Sequence, residues 1–469
     1  MFRPDSLSDT TPAVLAYVQG LAKAPPAGDA QDSEGSGAST TPGELGHVYI
    51  TSLRCVSKLA RSRQLLLQPR APPSTASFVR VVVSLLGYTL MDQVDGSDDS
   101  EAAPLPWWTP TQAKDTKAHD VEYAVALVDD TGGVRSCRIA LRSKPVSVFS
   151  AAMVDELTVD AQQCSTAATP APGDGGATRS SNSSSSNSTS SATEKAATCV
   201  PRAVAAFHSC VQHHEAATLQ NMALGVARLL DDHDDGGGAA SPEWMIDVPL
   251  YSVVLCVEDT HTTRLHRVQR LTTPLLRAAT TGGGGGAADG PLGAVTRVLA
   301  TLHTWCAASL TSTAPPGSSP PQCTLTHAQL RELHQSMTSL CCAETRPVTG
   351  DAAAAATPAC VVHCQLGVSR SPSVVLLFYM DVFASQLRAA VAASVEAAVV
   401  AESSDTATAA AATAGSASLA VFNGLLGALV LARARVRPNV CFAAQLLSHW
   451  AQCTAPHPPP SAAPPSTRC

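Results

Sequence analysis

The stretch VVHCQLGVSRSPSVVLLFYM, residues 361–380, decides how the rest of this chain is read. An apolar run ends at Cys364, a short loop leads to Arg370, and a helix pattern begins at Ser371, with Ser371 as cap ahead of Pro372. The backbone N–H groups of Gln365, Leu366, Gly367, Val368, Ser369 and Arg370 can converge on one oxyanion, aided by the positive end of the helix that follows. Arg370 adds a planar fork that matches two phosphate oxygens. The same field favours the thiolate of Cys364, since cysteine pKa values fall to about 3.5–7.5 in such surroundings. A thiolate beside a bound phosphoryl group is a nucleophile in place. Gly367 permits the tight bend, and Ser371 can hydrogen-bond the sulfur and ease its departure. The competing reading is a buried cysteine at a strand end followed by a surface turn. The coincidence of specified positions disfavours it.

Outward from this stretch, much of the 469-residue chain cannot build a core. Tracts of serine, glycine, proline and alanine at 179–192, 282–286, 313–321, 402–417 and 454–466 read as disordered linkers. Between them stand apolar islands. Residues 44–87 read as strand, helix and buried strand, and 121–143 as a hairpin around Asp-Asp-Thr-Gly-Gly. Residues 200–230 read as a helix and 252–259 as a strand. Helical patterns follow at 264–278, 290–308 and 326–342, then a short strand at 360–364 and a closing helical pair at 418–434 and 440–452. Strands alternating with helices predict an α/β fold with a largely parallel sheet.

A net charge of −7 with no lysine/arginine block disfavours nucleic acid or an anionic membrane as the main partner. The N-terminal residues lack a signal pattern, and the most apolar helical runs, 372–400 and 418–434, are interrupted by charge or short, so no membrane span is expected. Fifteen cysteines without a secretion signal read as reduced thiols, which predicts a cytoplasmic or nuclear location.

The residues HCQLGVSRS (363–371) resemble the His-Cys-x-x-Gly-x-x-Arg-Ser signature of the cysteine-dependent phosphatases. The Ser-Arg-Ser ending and the LLFYM that follows look like the dual-specificity branch, because tyrosine-only relatives carry threonine and glycine where Ser371 and Pro372 stand. VEDTHTTRL (257–265) is similar to the family's acid loop, which implies Asp259 as general acid and Leu265 as a packing residue. Residues 418–450 look like the closing helices, with Arg-Pro-Asn at their turn, and 48–67 like the opening strand and helix. The matched segments amount to about one compact domain.

The resemblance implies an α/β fold with a dual-specificity-phosphatase-like sheet flanked by helices. It would run over 44–453, interrupted by disordered insertions at about 88–242, 280–358 and 384–417, after a variable segment 1–43 and before a proline-rich tail 454–469. It implies hydrolysis of phosphotyrosine and phosphoserine/threonine in proteins through a phosphocysteine, with Cys364 attacking, Arg370 holding the phosphoryl oxygens, Asp259 protonating the leaving oxygen and His363 tuning the thiolate. No cofactor and no metal are required. The chain departs from the pattern in spacing: Cys364 lies 105 positions after Asp259, where the family has a few tens. Asp247, in MIDVPLY, therefore competes as the acid, and either 264–278 or 290–308 could be the helix after the acid loop. Two other functions stay open: hydrolysis of a phosphoinositide, glycan or RNA 5′-phosphate, and a phosphate-binding scaffold with vestigial catalysis. The uncharged loop residues Gln365, Leu366, Val368 and Ser369 favour a protein substrate over a lipid.

The remaining constellations carry less. The acidic run Asp231–Asp235 and the pair His213 and His214 read as solvated surface, and the five-glycine run lacks the lysine of a nucleotide loop. Cys360 shares a strand face with Cys364, and its expected role is core packing rather than disulfide exchange.

Overall fold

The computed structural model describes residues 6–23, 45–69, 76–87, 105–109, 118–162, 189–231, 242–280, 292–310, 323–341, 358–401 and 407–454. The acidic run beyond Asp231, the five-glycine run and most of the serine- and proline-rich tracts lie outside them.

The strands are β1 (Ser8–Asp9), β2 (His47–Ser52), β3 (Leu67–Pro69), β4 (Ala76–Leu86), β5 (Val121–Val128), β6 (Val134–Ser147), β7 (Glu243–Cys256), β8 (Cys323–Thr326) and β9 (Pro358–Cys364). They form one mixed sheet in the order β1-β2-β9-β4-β7-β6-β5-β8, with β3 paired to β4. Pairing is parallel from β2 through β9, β4 and β7 to β6 and again between β5 and β8, and antiparallel at β1-β2, β3-β4 and β5-β6. The expectation of an α/β chain with a largely parallel sheet holds at this level.

The helices are α1 (Thr11–Lys23), α2 (Leu53–Arg61), α3 (Ala151–Gln162), α4 (Thr189–Asp231), α5 (Leu265–Thr280), α6 (Gly293–Leu310), α7 (His327–Cys341), α8 (Arg370–Val382), α9 (Ala384–Ala401), α10 (Ala407–Ala432) and α11 (Val440–Thr454). Side-chain alternation decides what each sheet face buries. Val48, Ile50, Val81, Val83, Leu85, Cys360, Val362 and Cys364 face a core closed by α1, α5, α8, α10 and α11. Tyr49, Val79, Val82, Ala359 and Val361 face the other side, against Val56 of α2 and Trp107. Cys360 is thus a packed core residue, as expected.

The structure corrects the expectation of disordered insertions. The segment 88–242 supplies β5, β6, α3 and α4; 280–358 supplies α6, β8 and α7; and 384–417 supplies α9 and the first turns of α10. Tyr123, Val125 and Leu127 of β5, Ile139 and Leu141 of β6, Trp244, Ile246 and Val248 of β7 and Leu325 of β8 bury against α4, α6 and α7, forming a second core on the same sheet. The physical reason is that the low-complexity tracts mostly flank these elements, although 189–192 and 407–417, read as disordered linkers, form the first turns of α4 and α10. Alanine, which reads as filler by composition, is also the strongest helix former. Residues 1–43, expected to vary, likewise contribute β1 and α1. The Tyr379 hydroxyl of α8 bonds the hydroxyls of Thr10 and Thr11 at 2.9 and 3.1 Å.

A buried ion pair ties the two halves together. The register of β4 on β9 shifts between Val79 and Val81, and this bulge turns Arg80 into the interior, where it is fully buried. Its guanidinium donates to Pro249 O at 3.2 Å, to Thr296 Oγ1 of α6 at 3.1 Å and to the Glu215 carboxylate of α4. The Tyr251 hydroxyl donates to the same carboxylate at 2.8 Å. Truncating one partner strands a buried charge, so Glu215→Ala should lower unfolding stability by ~3–5 kcal/mol. Denaturant titration followed by tryptophan fluorescence and by far-UV circular dichroism should give one coincident, shifted transition. An unshifted midpoint would detach α4 from the core.

One helix stretch, Ala414–Ala432 in α10, is long and apolar enough by composition to cross a membrane, which is weak evidence for a span. It is packed here on α1 and α11: the Tyr17 hydroxyl donates to Val421 O at 2.8 Å and the Trp450 indole N–H to Ser418 Oγ at 2.8 Å.

Candidate functional site

The carboxyl ends of β9, β4 and β7 open on one side of the sheet, where α/β folds place ligands. Cys364 is the last residue of β9, in register with Ser52 of β2 and Leu85 of β4. The chain then turns through residues 365–369 into α8.

Three carbonyls of that turn are bonded to surrounding elements. Gln365 O accepts from Leu53 N at 3.3 Å, Val368 O accepts from Arg437 N at 2.8 Å, and Gly367 O accepts from Arg433 Nε at 2.9 Å. With these carbonyls engaged elsewhere, the loop's N–H groups are free to turn toward its centre. The Gly367 N–H donates to Cys364 Sγ at 3.2 Å. Arg433 is itself buried and also donates to Ser6 O at 3.2 Å and Ser8 Oγ at 3.4 Å, so the N-terminal strand braces the loop from behind.

Gly367 has φ +67°, a left-handed conformation. A Cβ there would stand 2.4 Å from Thr51 O and 2.8 Å from Arg433 Nη2. Gly367→Ala should therefore lower stability by ~1–3 kcal/mol. It should also weaken inorganic phosphate binding by about tenfold or more, because the N–H groups lose their common focus. Thermal denaturation and calorimetric phosphate titration read both effects; unchanged phosphate affinity would argue that the loop holds no anion.

Around the sulfur the electrostatics favour ionisation. Burial of Cys364 opposes the thiolate, but the Ser371 hydroxyl and N–H, the Arg370 charge and the Val368 N–H outweigh it and hold the thiol below its ordinary value. The Ser371 hydroxyl donates to Cys364 Sγ at 3.4 Å. Ser371 is thus not the helix cap that the sequence suggested. The cap position is Ser369, and its side chain makes no capping bond. Its hydroxyl serves Asp259 instead.

His363 lies on the strand face opposite Cys364 and is completely buried. Its Nε2 meets Ser84 Oγ of β4 at 2.7 Å. Burial, reinforced by the Arg370 charge, pushes its pKa down to about 3, so the imidazole is neutral. It ties the end of β9 to β4 as a neutral ring, and no protonated imidazolium stands beside the thiolate.

Arg370 Nη1 donates to Val257 O at 2.9 Å, at the exit of β7. Its Nε is buried without a hydrogen-bond partner among the described residues, 4.0 Å from Asp259 Oδ2. A buried guanidinium N–H left open is a donor held ready for an anion. Asp259 sits two residues beyond Val257, with its side chain 38% exposed. Its Oδ1 accepts from Ser369 Oγ at 3.0 Å and from the Asn439 side-chain amide. Asn439 also donates its backbone N–H to Ser369 Oγ at 3.1 Å, and its Oδ1 caps α11 by accepting from Phe442 N at 2.7 Å. Gln445 of α11 secures the far side of the segment after Asp259, accepting from Leu265 N at 2.8 Å and donating to Thr263 O at 2.9 Å. Leu265 is buried at the start of α5, so of the two candidates it is α5, not α6, that directly follows the segment carrying Asp259.

Asp247 is elsewhere. It lies near the start of β7, paired in register with Arg142 of β6, and takes that guanidinium in a two-bond grip at 2.7 and 2.9 Å. The structure brings together Cys364, Gly367, Ser369, Arg370, Ser371 and Asp259. Leu366 is 68% exposed on the rim. Sequence reasoning missed Arg433, Gln445 and Ser84, and took Asn439 only as part of the Arg-Pro-Asn turn. Only Asn439 carried a local signal, an asparagine directly before an apolar helix.

Comparison with protein-family models, with curated proteins and with solved structures finds no match for this chain.

Proposed function

We propose that this protein is a cysteine-dependent phosphatase that hydrolyses phosphomonoesters on proteins, phosphotyrosine and phosphoserine/threonine alike, by way of a phosphocysteine. The observation that carries this reading is one constellation. A thiol with a lowered pKa is held by a glycine N–H and a serine hydroxyl, beneath a buried arginine with one open N–H, and with a carboxylate across the cradle.

In the first step the Cys364 thiolate forms the S–P bond while the ester P–O bond breaks, and Asp259 delivers its proton to the departing oxygen. Arg370 and the loop N–H groups take up the charge on the phosphoryl oxygens. In the second step water attacks phosphorus and Asp259 accepts its proton. The sulfur leaves as a thiolate stabilised by Ser371, and inorganic phosphate is released. The reaction draws on no metal or cofactor, and the reduced thiol it needs suits the cytoplasm or nucleus.

The direct test is phosphate release by the full chain from an activated aryl phosphate and from phosphotyrosine and phosphothreonine peptides, with chelator present. Turnover whose acid limb tracks a single ionisation below the ordinary thiol value is expected. No phosphate release from any of the three, with inorganic phosphate still bound, would leave a binding scaffold as the better description.

A further inference from the structure

Away from the phosphate loop, three ligand-type side chains converge beneath the carboxyl half of α11. His449 and Cys453 stand one helical turn apart on α11, and Asp381 comes from the last turn of α8. Their ligand atoms all lie within 4.8 Å of one another, and all three side chains are half-buried. His449 Nε2 is 3.1 Å from Asp381 Oδ1 and 3.2 Å from Cys453 Sγ.

A fourth group crowds the same nitrogen. Gln269 Nε2 of α5 is 2.9 Å from His449 Nε2 and donates to Asp381 Oδ2 at 2.6 Å. Thr273 Oγ1 donates to that same Oδ2 at 3.1 Å. One ring nitrogen carries at most one hydrogen. With it, the nitrogen faces the glutamine donor unfavourably; without it, its lone pair faces the Asp381 oxygen. Hydrogen bonding alone therefore leaves one of these contacts unsatisfied, whichever tautomer is drawn. A cation between Nε2, Oδ1 and Sγ would take a lone pair from each, leaving Gln269 to draw back from Nε2 and donate to Asp381 Oδ2 alone. Gln269 and Thr273 would stay on Oδ2 as the outer partners that orient a ligating carboxylate.

The donor set selects the ion. One nitrogen, one thiolate and one carboxylate oxygen suit zinc, with tetrahedral bonds of about 2.0–2.1, 2.3 and 2.0–2.2 Å. Those lengths place N and S about 3.6 Å and N and O about 3.4 Å apart, so the present spacings need open by only a few tenths of an ångström.

We propose that Asp381, His449 and Cys453 form a binding site for a zinc-type divalent cation, completed by water, which staples α11 to α8. The site is independent of the phosphatase reading. Its consequence would reach the phosphate cradle nonetheless, since α11 begins at the turn where Asn439 holds Asp259, and α8 begins at Arg370. Ligation needs a neutral imidazole and a thiolate, so uptake should release protons and weaken as the pH falls.

The test uses the full chain carrying Cys364→Ser, so that the loop thiolate cannot take the metal. Cobalt(II) titration should show a sulfur-to-cobalt charge-transfer band. Zinc should compete it away at about one ion per chain and raise the thermal midpoint by mass action. Adding Cys453→Ser, nearly the same shape, should weaken uptake by about 10–100-fold and remove the band, with the far-UV spectrum unchanged. Adding His449→Ala should do the same. The proposal is overturned if both double variants take up zinc as the parent does. It also fails if the parent shows no uptake and no thermal shift at micromolar zinc.

Discussion

Cys364→Ser should reduce turnover by on the order of 10³-fold or more while leaving phosphate binding nearly intact. The cradle owes its shape to groups that the substitution does not touch. The Gln365, Gly367 and Val368 carbonyls stay tied to Leu53, Arg433 and Arg437, and Arg370 stays bonded to Val257 O. A serine oxygen can still accept from the Gly367 N–H. What it cannot do is ionise, because the environment that lowers a thiol pKa acts on an alcohol whose starting value is far higher. Steady-state kinetics and calorimetric titration with inorganic phosphate check the two halves separately. Turnover above a few per cent of the parent would remove Cys364 from the reaction. Loss of phosphate affinity together with turnover would mean the sulfur itself organises the loop. The same variant should retain phosphorylated protein long enough for it to be isolated, which would identify the substrate.

The cradle could be read from sequence because its chemistry is local. Cys364, the glycine bend, Arg370 and Ser371 all lie within residues 364–371, so strand, turn and helix signals fall in one short window. The groups that hold the cradle are not local. Arg433 bonds a loop carbonyl 66 residues earlier and Ser6 O 427 residues earlier, partnerships that exist only after the sheet has closed. Ser84 meets His363 only because β4 and β9 pair in that register. The Ser371 hydroxyl shows the limit even within the window. A serine at a helix start can cap the helix or serve a neighbour, and only the position of the sulfur decides between them. The width of the sheet was hidden for another reason. Composition marks where a chain fails to pay for order, and it says little about the elements lying between such tracts.

Asp259→Asn is the sharpest test of how the site turns over. A general acid contributes most where the leaving oxygen is a poor leaving group, typically ~10²–10⁴-fold. Hydrolysis of phosphotyrosine and phosphothreonine peptides should fall by about that much, the threonine ester most, because an alkoxide departs least readily. An activated aryl phosphate should be slowed far less. Asparagine keeps an oxygen for Ser369 and the Asn439 amide, so the loop geometry should survive and inorganic phosphate should bind as before. The sign of the pH effect follows from the roles. The parent rate rises as Cys364 ionises, at a value below that of an ordinary thiol. Removing the acid should leave that acid limb where it was, because Cys364 still sets it. Asp247→Asn is the control, because that carboxylate is engaged by Arg142 at the far end of β7 and should show no dependence on the leaving group. Should Asp247→Asn show that dependence instead, the proton reaches the ester by a route other than the acid loop. If neither variant shows it, the carboxylate beside the cradle holds Ser369 and Asn439 in place, and the cradle binds phosphate without hydrolysing it by acid catalysis.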